Sequence, residues 1–109
     1  MKSYKLGEMK GGWFVGDFTP TLFESGECEV ACKRYRAGDS ESRHVHKIAT
    51  EITLIVSGRV LMNGVEYGTD DIVYLEPGVA TDFQVLEDAV TVVVKLPSVK
   101  GDKYQVAEE

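Results

Sequence analysis

Both histidines of the chain fall in the tetrapeptide Arg43-His44-Val45-His46, and Glu51 follows five residues later. Alternate residues of a strand share a face, so an extended segment here projects the two imidazoles side by side. A short turn through Lys47 to Thr50 would return Glu51 to the same pocket. Neutral imidazole and ionised carboxylate are both available at pH 7 without unusual pKa values. Together they make a facial ligand set that leaves coordination positions open. A divalent transition ion held there would polarise a substrate oxygen or activate a bound water. Ligand type alone does not choose among Fe, Mn, Ni and Zn. A His-x-His pair also arises by chance on exposed strands, so the pair by itself decides nothing. No other chemistry is marked. No Ser or Cys has a recognisable His–Asp partner set, and neither a GxGxxG nor a P-loop pattern occurs.

The elements that must position these residues read as strands. Eleven glycines punctuate short runs rich in Val, Ile, Thr, Tyr and Phe. Strands are expected over Phe14 to Phe18, Glu27 to Arg36, His44 to His46, Glu51 to Val56, Arg59 to Met62, Val65 to Tyr67, Asp71 to Leu75, Thr81 to Leu86 and Val90 to Leu96. Turn residues separate them, among them Ser57-Gly58, Asn63-Gly64, Pro77-Gly78 and Glu87-Asp88. Many short strands at this spacing imply an all-β sandwich or barrel. Asn63-Gly64 suits a two-residue hairpin turn with positive φ at both positions. That register pairs Met62 with Val65 and Val60 with Tyr67, and makes the four core candidates. Val90, Val92, Val94 and Leu96 form the apolar face of the last strand, with Thr91, Val93 and Lys95 opposite.

Composition narrows the classes. The chain has 109 residues, 43% hydrophobic and 28% charged, which fits one globular domain. Its formal charge of −6 lacks the basic stripe that a nucleic-acid partner needs. The first twenty residues hold no signal-like apolar core, and no stretch is long enough to span a bilayer. The expectation is a soluble cytoplasmic protein with no membrane partner. Cys28 and Cys32 would sit on one strand face about 13 Å apart, too far for a disulfide, and read as buried thiols.

From Gly38 the segment runs five residues to His44, one to His46, four to Glu51 and six to Gly58. This resembles the first signature of the cupin superfamily at every fixed position. The second signature is matched in part. The strand through Asp71 to Leu75 and the Pro77-Gly78 turn are present, but Thr81 stands where the family has its fourth ligand, a His. The resemblance covers about Tyr35 to Leu96 and implies a double-stranded β-helix, or jelly-roll, barrel with its ligands opening into the mouth. It implies one cupin domain over 1–109, with an N-terminal arm and edge strand at 1–26, the barrel at 27–97 and a tail at 98–109.

Three outcomes are then open for the site. His44, His46 and Glu51 could hold a divalent transition metal with waters; a bulge could recruit Asp82 as fourth ligand; or the histidines could hydrogen-bond a small molecule without metal. Arg34, Tyr67, Thr81 and Phe83 are candidates for lining the substrate pocket. Arg34 shares strand parity with Cys28, Val30 and Cys32, and would reach the pocket only if that face lines the barrel. The family resemblance implies a metal-dependent enzyme, such as an isomerase or oxygenase, on a small polar substrate. The alternative is a non-catalytic binding module for a carbohydrate-like or anionic ligand. N-terminal segments of cupins often pair across a dimer, so Gly11 to Phe18, with the single Trp13, is expected at a homodimer contact.

Overall fold

The computed structural model describes residues 1–107. Two 3-10 turns, Leu6–Glu8 and Lys10–Gly12, precede nine strands: β1 (Trp13–Gly16), β2 (Phe23–Glu24), β3 (Glu29–Tyr35), β4 (Ser40–Val45), β5 (Thr50–Met62), β6 (Val65–Gly68), β7 (Ile72–Leu75), β8 (Thr81–Leu96) and β9 (Tyr104–Gln105). Glu108 and Glu109, the last part of the expected acidic tail, lie outside the described residues.

Two long strands organise the barrel. β5 runs antiparallel to β8 along nearly its whole length, from Thr50 opposite Leu96 to Leu61 opposite Gln84. The other edge of β8 is shared. Its second half pairs with β3, from Tyr35 opposite Ala89 to Glu29 opposite Lys95. Its first half pairs with β4, where His44 stands opposite Thr81. β7 extends the first half of β5, and β6 extends the second half. Folding β5 and β8 over at their middles brings the two half-sheets face to face as a double-stranded β-helix.

The corner accounts for two differences from the sequence reading. Ser57-Gly58 and Glu87-Asp88 are not turns between separate strands; both lie inside continuous ones. The β5–β8 register shifts between Ile55 and Ser57 and again up to Val60, the mark of bulges that bend a ladder without ending it. Gly58 has φ 92°, and a Cβ there would overlap the Asp88 carbonyl and Ala89. Only glycine fits that corner.

The core fills one end of the barrel: Ile55, Val60, Met62, Phe83, Val85 and Ala89, with Tyr35, Tyr67, Val73 and Leu75 packed against it. The Asn63-Gly64 turn has positive φ at both residues, and its pairings are Met62 with Val65 and Val60 with Tyr67. Val60 and Met62 are buried, but Val65 at the ribbon tip is exposed, beyond the reach of the opposite sheet.

The face assignment of the last strand is reversed. The inward residues of β8 are Ala89, Thr91, Val93 and Lys95, while Val90, Val92 and Val94 are half-buried on the outside and Leu96 is exposed. The inward face lines a cavity and carries polar groups there, so hydrophobicity marks the outer face instead. Cys32 and Arg34 follow that outer parity on β3. Both cysteines are free and half-buried rather than buried. Tyr74 is also on the outside and exposed.

The segment after β8 is built into the sheet. β9 pairs with β4, placing Gln105 opposite His44 and Tyr104 opposite Val45. Asp102 just before it is buried. No helix among the described residues is long and apolar enough to cross a membrane.

Candidate metal centre and cavity

His44 and His46 both point inward from the end of β4 and are buried, and Glu51 enters from the start of β5. One ligand atom from each lies within 4.8 Å of the others. The imidazole rings meet edge to face with centroids 5.2 Å apart.

Hydrogen bonds fix which ring nitrogens face the centre. His44 Nδ1 lies 3.0 Å from the Ser42 carbonyl, and His46 Nδ1 lies against the Asp102 carbonyl. A carbonyl only accepts, so each Nδ1 carries the proton and donates. In the neutral rings both Nε2 atoms then present lone pairs. This is how metal-ligating imidazoles are oriented, with the second nitrogen tied to a backbone carbonyl. His46 Nε2 is buried, has no hydrogen-bond partner, and stands 3.3 Å from Glu51 Oε1. A lone pair facing a carboxylate repels it unless a cation lies between them, either a proton or a metal. The residues therefore fit a divalent ion by donor chemistry.

Burial pushes the His44 imidazolium down, with Lys103 and His46 adding to it, and this outweighs the Ser42 carbonyl. Burial works to raise the Glu51 carboxyl, but His46, Lys95 and His44 outweigh it and hold the group below its usual range. Thr53 Oγ1 donates to Glu51 Oε2 at 3.3 Å.

The turn that returns Glu51 is shaped by Asp102. Its carboxylate accepts hydrogen bonds from the N–H groups of Lys47, Ile48 and Ala49, at 2.9 to 3.2 Å. Burial alone would raise this carboxyl; the three N–H donors hold it low instead. Sequence reasoning missed Asp102, since nothing local marks a residue in a tail as the anchor of a distant turn. Lys47 is exposed on that turn, its Nζ 4.0 Å from the Tyr104 ring centroid.

Beside the three residues lies a cavity of about 500 Å³, within the range of small-molecule sites. His44, Glu51, Thr81 and Phe83 all line it. Thr81 is buried next to His44, and its hydroxyl donates to the Asp82 carbonyl at 2.7 Å. Asp82 does not turn inward: its carboxylate accepts from the Asn63 N–H at 2.9 Å and lies 3.5 Å from Arg43 Nη2. No bulge rotates it toward the histidines, so it is not a fourth ligand in this structure. Arg34 is exposed on the outer face of β3, away from this cavity, because the Cys32 parity points outward. Tyr67 packs against the core rather than lining the cavity.

Residues the sequence reading did not assign complete the wall. Tyr35 donates to Glu41 Oε2 at 2.7 Å, and burial followed by the Glu41 charge pushes its phenol far above the usual range. Lys10, Lys33, Lys95 and Lys103 also line the cavity. Burial lowers the Lys95 ammonium although Glu51 and Glu29 oppose the shift. Trp13 stands at the mouth with Phe18 edge-on, centroids 6.4 Å apart. The indole expected at a dimer contact is thus part of the cavity wall, because a bulge between Trp13 and Val15 turns it inward over β3.

No family model matches the chain, and no curated protein matches it. Solved structures do. A protein with a double-stranded β-helix domain from Klebsiella pneumoniae subsp. pneumoniae MGH 78578 superposes with a TM-score of 0.72 at 18% identity, over 98% of this chain and 93% of that one. An RmlC-like cupin from Shewanella frigidimarina NCIMB 400 has a TM-score of 0.63 at 16% identity, over 69% and 70% of the two chains. DMSP lyase DddQ from Ruegeria pomeroyi DSS-3 has a TM-score of 0.71 at 19% identity, over 86% of this chain and 49% of that one. The fold is the cupin double-stranded β-helix. At these identities the likeness carries the fold and leaves the chemistry to the residues.

Proposed function

We propose that the protein is a small-molecule cupin that holds one divalent transition ion on His44, His46 and Glu51. The observation that carries this reading is the buried His46 Nε2, turned toward the Glu51 carboxylate at 3.3 Å by the Nδ1 hydrogen bond to the Asp102 carbonyl. An ion there would supply Lewis-acid polarisation of a substrate oxygen or acidify a bound water. The chain's own residues orient the imidazoles through Ser42 and Asp102, present Glu51 in its ionised form, and shield the centre with Trp13 and Phe18. Thr81 beside His44 does not add a strong ligand, so His44, His46 and Glu51 would leave positions open to water or a substrate oxygen. The reaction class we propose is isomerisation or oxygenation of a small polar molecule.

A second reading is a non-catalytic binding module, and one observation favours it. The carboxylates that line the cavity are already engaged: Glu51 faces His46, Glu41 accepts from Tyr35, and Glu29 accepts from Ser98 Oγ at 2.9 Å. None stands ready as a general base.

The test is calorimetric titration of resin-stripped protein with Mn, Fe, Co, Ni and Zn ions. One ion per chain is expected, and His44→Ala should abolish it. Absence of binding by every ion overturns the reading.

The homodimer remains part of this proposal, with a different contact. The outer faces of β7, β5, β8 and β3 together carry Ile72, Tyr74, Ile52, Leu54, Val90, Val92, Val94 and Val30, half-buried or exposed. With strands about 4.8 Å apart and about 3.3 Å per residue, this apolar patch spans roughly 300 Å² and would form the centre of an interface whose rim supplies the rest of the roughly 800 Å² per partner of a standard one. A second copy of the chain is the occupant we propose, and the cytoplasm the compartment.

A further inference from the structure

The chain is acidic overall, at −6, yet four lysines line the cavity beside His44 and Glu51. Against the three carboxylates in the same wall, Glu29, Glu41 and Glu51, the four lysines leave a formal excess of one positive charge. Two lysines are directed by the wall itself. Lys33 Nζ lies 5.4 Å and Lys95 Nζ lies 4.8 Å from the centroid of the Trp13 ring. The ring face attracts both ammonium groups and holds them at the mouth. Among the described residues Lys33 has no carboxylate partner, and Lys95 has only Glu29 at 4.0 Å within ion-pair reach. A polar orphan sits beside them. Thr91 stands directly opposite Lys33 in the β3–β8 ladder, is 1% exposed, and its Oγ1 lacks a hydrogen-bond partner while lining the same cavity. A buried hydroxyl without a partner is costly to keep and marks a place for a ligand atom.

We propose that Lys33, Lys95 and Thr91, under Trp13, form an anion subsite, and that the small molecule taken by this cavity is an organic acid. Its carboxylate rests on the two ammonium groups and accepts from Thr91 Oγ1. A second oxygen function extends toward His44, His46 and Glu51. This end of the assignment rests on the metal reading; the anion subsite does not. Converging charges inside a cavity of low dielectric select an anion strongly over a neutral analogue of the same shape. Lys10 and Lys103, nearer the opening, add attraction without fixing the carboxylate.

Trp13 is the single tryptophan of the chain, so its fluorescence reports on this subsite. Malonate is the probe, titrated into protein stripped of metal on a chelating resin, with malonamide as the neutral control and chloride at matched ionic strength. The expected result is a saturable change with malonate and none with malonamide. Lys33→Met and Lys95→Met should each weaken the response about tenfold or more, with their thermal unfolding showing a folded chain. Lys33→Met removes no ion pair, so it keeps the test valid if Lys95→Met fails to fold. Malonate binding that is absent, or unchanged in folded Lys33→Met, overturns the proposal. His44→Ala should keep malonate binding while losing metal. The metal and anion readings therefore fail separately: metal uptake without malonate binding removes the subsite alone, and the reverse removes the metal centre alone.

Discussion

His46 and Asp102 are joined twice across the barrel wall. His46 donates from Nδ1 to the Asp102 carbonyl, and the Asp102 carboxylate collects the three N–H groups that follow His46 in the chain. One residue of the C-terminal segment thereby sets the orientation of an imidazole and the path of the turn that delivers Glu51.

Asp102→Asn should therefore lose on two counts. Replacing the charged acceptor of the Lys47, Ile48 and Ala49 N–H groups costs about 2 kcal/mol, measured by urea unfolding at pH 7. Metal affinity should fall about tenfold or more, since second-sphere partners of a ligating histidine typically carry that much. The pH dependence follows from the sign of the shift. The folded-state pKa lies below the unfolded value, so the stabilisation is present above the unfolded pKa and is lost as pH falls through the folded one. The variant should show a flatter acid limb than the wild type.

Tyr35 gives the opposite limb. Its phenol is raised by burial and by Glu41, so its contribution is complete below the ordinary tyrosine pKa and is lost as pH rises through the folded value. Alkaline spectrophotometric titration of the native protein should leave one of the five tyrosines protonated until the chain unfolds. Tyr35→Phe should remove that late step and cost about 1 to 2 kcal/mol at pH 7 by leaving Glu41 without its donor.

Gly58→Ala should be among the most damaging single-methyl additions. The new Cβ meets backbone rather than a movable side chain, at a φ that L residues rarely adopt. A loss of about 3 kcal/mol or more is expected, seen as a drop in the urea midpoint. Gly64→Ala, also at positive φ but with open space around it, should cost only about 1 kcal/mol.

The outer sheet face predicts a dimer. Sedimentation velocity of the wild type should show two chains at micromolar concentration, and Val92→Lys should give a folded monomer. A wild-type monomer at high concentration would remove the contact. Trp13→Ala should leave the oligomeric state unchanged, because its ring lies over the cavity.

The convergence of His44, His46 and Glu51 was legible in the chain because strand alternation and one short turn are local rules, and they act between neighbours in sequence. The Asn63-Gly64 hairpin was legible for the same reason. What local rules could not carry was sidedness. On β8 the face with the most valines is the outer one, since cavity walls need Thr91 and Lys95 where a solid core would need Val. Arg34 was a pocket candidate only if its face lined the barrel, and that face is the outer one. Ser57-Gly58 looks like a turn, but its bend belongs to the β5–β8 ladder, which exists only once the barrel closes. Asp102 was invisible because its partners lie more than fifty residues away.

β5 and β8 each run through both half-sheets without a break. The two walls of the cavity are consequently halves of the same ribbons, and they cannot swing apart as jaws without tearing a continuous hydrogen-bond ladder. Passage in and out is left to the rim, where Trp13, Phe18 and Lys103 turn on single side-chain bonds. Entry then asks for side-chain rotation at the rim rather than the slower opening of hinged domains. Residence inside would be governed by what the molecule grips, not by a closing door.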